Sequence, residues 1–127
     1  MMNTALPRSL LAIAAALLLL NAVMHTSAFA QTRAAATASN LATFFGQSLQ
    51  ALWLIESVTL LMLAGGFGLV AARPAMASGA VIALLALVPA ATAGMLYRFI
   101  GGRFVPAHLF LLAAGLALVA GLLRAAA

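Results

Sequence analysis

Glu56 is the only acidic side chain in a chain of 127 residues that holds two histidines, His25 and His108, and no cysteine. Those three side chains are its whole supply of carboxylate and imidazole chemistry. A lone carboxylate in an apolar helix can carry a proton or a cation, or it can pair with an arginine. Two imidazoles on different helices could ligate a haem iron, and a zinc site would need Glu56 as a third ligand. A histidine near a helix end more often hydrogen-bonds a carbonyl, so we expect no metal and no cofactor. The GxSxG, Walker and HExxH signatures are absent, and the lack of aspartate removes the usual triads and paired carboxylates. We therefore expect a protein that is not an enzyme.

The elements that must position these groups belong in lipid. Hydrophobic residues make up 67% of the chain, charged residues 6%, and the mean hydropathy is +1.23, far from the balance of soluble domains. Four apolar stretches run roughly from Leu6 to Ala30, Leu49 to Ala72, Ala75 to Leu96 and Phe104 to Leu123. Each can cross a hydrocarbon core of about 30 Å as a helix. Strand-like alternation is missing, and every backbone amide in lipid must be satisfied within its own segment. The expected fold is an all-α integral membrane protein, an up-and-down bundle of four transmembrane helices, with residues 1–127 forming one membrane domain. Arg73-Pro74 and Gly101-Gly102 punctuate two short connections, which make neighbouring helices antiparallel.

The first connection, 31–48, is longer and rich in Ala, Thr and Ser. Leu41, Phe44, Phe45, Leu49 and Leu52 recur there at helical spacing. That pattern fits either a surface helix leading to an interfacial Trp53 or a flexible loop.

Ala28-Phe29-Ala30 before Gln31 resembles a signal-peptidase site behind an apolar core from Leu10 to Leu20. The interval from that core to the site is long, and Ala22-Val23-Met24 continues the apolar run. We expect a retained first helix; cleavage would leave three helices.

The formal charge of +5 comes from six arginines, Arg8, Arg33, Arg73, Arg98, Arg103 and Arg124, set against Glu56. They are scattered, so no nucleic-acid surface forms. With the N-terminus inside, three arginines fall on each side, and the count does not orient the chain. An Ala-, Leu-, Gly- and Arg-rich, lysine-free composition suggests a bacterial protein of the inner membrane.

Antiparallel threading does bring together the end of the first helix, the start of the second, the end of the third and the start of the fourth. His25, Glu56, Arg98, Arg103 and His108 thus share one side of the membrane. We expect Glu56 to pair there with Arg98 or Arg103. The small residues Gly79, Ala83, Ala86, Ala90 and Ala93 form a stripe on the third helix, and Ala64 with Gly68 a pair on the second. On that basis the second and third helices should be the tight core, with the first and fourth facing more lipid. Pro89 should kink the third helix.

In length, helix number and its single membrane carboxylate the chain resembles the small multidrug resistance transporters, which work as dimers with a Glu in the first helix. Here Glu56 lies in the second run near an interface, and the first holds only Asn21 and His25, so no site is carried over. Two roles follow: a membrane scaffold or accessory subunit that binds a second copy or a membrane-protein partner, or a minimal proton-coupled transporter using Glu56. No polar path reaches the far leaflet, which favours the first.

Overall fold

The computed structural model describes residues 5–126, and these are all helix, turn and short connection. The helices are α1 (Ala5–Ser27), α2 (Phe29–Ala38), α3 (Thr43–Ala72), α4 (Gly79–Phe99) and α5 (Val105–Ala125), with a 3-10 turn at Pro74–Met76. Four spans are long and apolar enough to cross a membrane, the first being α1 and α2 together. The protein is an all-α four-helix bundle of the multi-pass membrane type.

Local sequence sets the ends. Ser78 caps α4 by accepting a hydrogen bond from the Val81 amide, satisfying one of the first-turn donors a helix leaves open. After α4, Gly101 adopts φ of 106°, a region that suits glycine, and Pro106 stands in the first turn of α5, where its missing N–H has no cost. Pro89 is buried inside α4, which continues through it without interruption.

The connection 31–48 is largely helical, not a flexible loop. Its first part is the end of α2, which packs beside the start of α3, and α3 begins at Thr43 as one helix of 30 residues. At 1.5 Å per residue that is about 45 Å, some 15 Å more than a hydrocarbon core. The first turns of α3 lie beside α2 at the His25 end, with Phe44 and Phe45 exposed.

Three seams of the bundle are closely packed: α3 with α1, α1 with α5, and α5 with α4. The fourth, between α3 and α4, is loose. This corrects the expectation that those two helices make the tight core. The small-residue stripe of α4 exists, but its partner is α5, which carries a matching stripe of buried Ala113, Ala117, Ala120 and Gly121. Small faces on both members let the backbones approach until a Cβ on Gly121 would lie 2.8 Å from the Ala83 nitrogen. Along α1 the buried face is Leu11, Ala14, Leu18, Asn21 and Ala22, the i, i+3, i+4 spacing of a packed helix. α1 thus packs between α3 and α5 on this face, while Ile13, Leu19, Leu20 and Val23 are exposed on its other side.

Candidate functional site: a crevice at the loose seam

Where α3 and α4 stand apart, a crevice of about 470 Å³ opens in the half of the bundle that contains His25. Trp53, Glu56 and Leu60 form its α3 wall, and Thr92, Met95 and Leu96 its α4 wall, with Ile100 just past the end of α4. Asn21 from α1 and Pro106 and Phe110 from α5 close the back. Large side chains face each other across this seam where alanine and glycine face each other across the α4–α5 seam.

One edge is fastened by a reciprocal pair. Trp53 Nε1 donates to the His25 carbonyl at 2.8 Å, and His25 Nε2 donates to the Trp53 carbonyl at 3.1 Å. The rings stack with centroids 4.1 Å apart and 8° between planes. The Trp53 carbonyl also accepts from Ser57 Oγ at 3.1 Å. Because a carbonyl only accepts, His25 must hold its proton on Nε2. Together these contacts tie α1 to α3 near the level where an interfacial tryptophan sits.

Asn21 lies one turn further in. Its Nδ2 donates to the Pro106 carbonyl at 3.3 Å, tying α1 to α5, while its Oδ1 is buried without a partner. The residue is 2% exposed. A buried acceptor left unmade costs about 1–3 kcal/mol, so this atom marks a place where the bundle is polar without internal reason.

Glu56 lines the same space, half-buried, and among the described residues its carboxylate has no hydrogen bond or ion pair. The expected pairing with Arg98 or Arg103 is not made. Arg98 is exposed and stands with its guanidinium 5.7 Å from the Phe99 ring centroid, and Arg103 is exposed in the α4–α5 turn. The crevice separates α3 from both. Glu56→Gln should accordingly leave the thermal midpoint in detergent within the ±0.5 kcal/mol of an unremarkable substitution; a drop of 1 kcal/mol or more would show that an ion pair does form.

His108 belongs to another contact. Its Nε2 donates to the Gly102 carbonyl at 3.0 Å, which leaves Nδ1 to accept from the Tyr97 hydroxyl at 2.7 Å. The pair locks the α4–α5 turn. Both histidines thus hydrogen-bond backbone carbonyls, and among the described residues no three His, Cys, Asp or Glu side chains converge as a metal ion would require.

No family model, characterised protein or solved structure matches this chain. Its function has to be argued from the crevice.

Of the site residues read from sequence, His25 and Glu56 meet in the crevice, whereas Arg98, Arg103 and His108 lie outside its lining. Asn21 was not singled out as a site residue. The signal was present, since Asn21 is the one amide on the otherwise apolar face Leu11, Ala14, Leu18, Ala22. At the opposite end of the bundle, Arg8 Nε donates to the Ala71 carbonyl at 2.9 Å, and Arg124 Nη2 donates to the carbonyls of Pro74 and Ala77. Arginines there satisfy carbonyls at and beyond the end of α3, a role open to cations at helix C-termini.

Proposed function

We propose that this protein works by binding within the membrane plane, as a small scaffold or accessory subunit that holds a membrane-borne molecule in the crevice between α3 and α4, without catalysis of its own. The lysine-free, Ala- and Arg-rich composition suits a bacterial inner membrane as the setting. The observation that carries the proposal is the loose seam itself. Three seams are closely packed, and the fourth leaves a largely apolar space with a few polar groups, the usual form of a ligand site, within the roughly 300–1,000 Å³ of such sites.

Proton-coupled transport through Glu56 would need a polar route onward to the Arg8 end. Inward of Leu60 the packed interior consists of Ala64, Phe67, Ile82, Ala86 and Ala117, and it offers no such route. A blind crevice favours holding over passage.

The test is native mass spectrometry of the protein released from nanodiscs made with its own membrane lipids. One discrete adduct per chain is the expected result, and Thr92→Phe, which fills the crevice from α4, should remove it while the helical content is unchanged. In sealed liposomes the protein should add no proton leak to that of empty vesicles. Absence of any adduct, or a proton flux that vanishes in Glu56→Gln, would overturn the binding role.

A further inference from the structure

We propose that the crevice selects a protonated primary amine carried on an apolar chain. This deepens the binding role and rests on it. The chain has six arginines for a single carboxylate, so an internal partner for Glu56 would be easy to provide, yet among the described residues it has none. Among the described residues no counter-charge is in place for it.

Depth brings the second acceptor to the same level. His25 and Trp53 hold each other's carbonyls, so they share one level of the bundle. Asn21 is four residues inward from His25 on α1, about 6 Å, and Glu56 is three residues inward from Trp53 on the antiparallel α3, about 4.5 Å. Asn21, whose Oδ1 is buried without a partner, and Glu56 therefore line the crevice at nearly one depth. That Oδ1 and the Glu56 carboxylate only accept. A ligand that satisfies the pair must bring several N–H donors and a positive charge, which an ammonium group does. A trimethylammonium group has the charge but no N–H for Asn21. Met24, Met95, Leu96, Ile100 and Phe110 then provide apolar walls for the chain.

Trp53 is the only tryptophan in the protein and lines the crevice, so its emission reports occupancy. Dodecylamine, dodecyltrimethylammonium and dodecanol are each titrated into the purified full-length protein in maltoside. Dodecylamine should give a saturable change in Trp53 emission, and the other two should bind at least tenfold more weakly. Glu56→Gln should weaken dodecylamine at least tenfold with an unchanged thermal midpoint. Asn21→Ala should narrow the preference for dodecylamine over dodecyltrimethylammonium at least threefold.

Nanodiscs of phosphatidylethanolamine and of phosphatidylcholine separate the two sources of such an amine. Phosphatidylethanolamine retained on the native protein but not on Glu56→Gln assigns the ligand to lipid. Dodecylamine binding without retained phosphatidylethanolamine assigns it to a free amphiphilic amine. Equal binding of dodecylamine to the native protein and Glu56→Gln, or of dodecanol and dodecylamine to the native protein, overturns the inference. An adduct that Thr92→Phe removes in that same case would keep the binding role and discard the amine.

Discussion

A chain beginning at Gln31 should fail to accumulate as folded protein. α1 is the shared neighbour of α3 and α5, and its Leu11, Ala14 and Leu18 are completely buried. In lipid, the apolar side chains of α3 and α5 gain little from leaving water, since they are already out of it; what α1 gives them is close packing. It also provides three inter-helix hydrogen bonds from its side chains, Arg8 to Ala71, Asn21 to Pro106 and His25 to Trp53, each worth about 0.6 kcal/mol in a membrane bundle. Without α1 the α4–α5 pair survives while α3 loses its main contact. The expected result is a broad, aggregated profile on size exclusion in detergent for residues 31–127, with partial rescue when residues 1–30 are co-expressed as a separate peptide. A monodisperse, cooperatively melting product from 31–127 alone would contradict the placement of α1.

The second large effect belongs to the α4–α5 seam. A Cβ on Gly121 would come within 2.8 Å of the Ala83 nitrogen and of the Gly79 carbonyl oxygen, and a Cβ on Gly79 would run into the backbone of Gly121, Arg124 and Ala125. These are backbone atoms of the facing helix, so no rotamer change relieves the clash and the helices must separate. Overpacking of ordinary cores costs about 1–3 kcal/mol, and Gly121→Val should cost about 3 kcal/mol or more, read as a lower thermal midpoint in detergent. Gly115→Ala on the same helix is the control. Its Cβ meets nothing within 4 Å, so alanine should leave the midpoint unchanged or raise it slightly through helix propensity. Equal losses at Gly115 and Gly121 would mean that the glycines serve the helix itself and not the seam.

How these features stood in the sequence differs by kind. The four spans were legible because an apolar run of about 20 residues has few other fates than a membrane helix, and the shared side of His25 and Glu56 followed from alternation of direction alone. The pairing of helices was not. Small-residue stripes are symmetric signals that show a face capable of close contact without naming its partner. The stripe Gly79, Ala83, Ala86 was read toward α3 because α3 carries a small-residue pair of its own, Ala64 and Gly68. The facing stripe on α5, Ala113, Ala117, Ala120 and Gly121, was masked by Leu116, Leu118 and Val119 at intervening positions. The start of α3 at Thr43 was also missed, since Thr43, Gln47 and Ser48 look like loop residues until α2 is seen to pack beside them. Asn21 and Glu56 are legible as polar intrusions, but their lack of partners is a property of the packed helices and of nothing in the sequence.

The loose α3–α4 seam underlies the crevice and both proposals, and cysteine pairs measure it directly in a chain that has no cysteine of its own. A Cβ on Gly68 would lie 3.7 Å from the Ala15 Cβ, inside the roughly 3.5–4.5 Å that a disulfide spans. With Ala15→Cys and Gly68→Cys together, oxidation in native membranes should therefore close a disulfide between α1 and α3 promptly and nearly completely. Leu60→Cys with Thr92→Cys places one thiol on each wall of the crevice. That pair should stay reduced under the same oxidant and be joined only by a longer bis-maleimide. A prompt disulfide between positions 60 and 92 would mean that α3 and α4 close on each other in the membrane, leaving no crevice for a ligand.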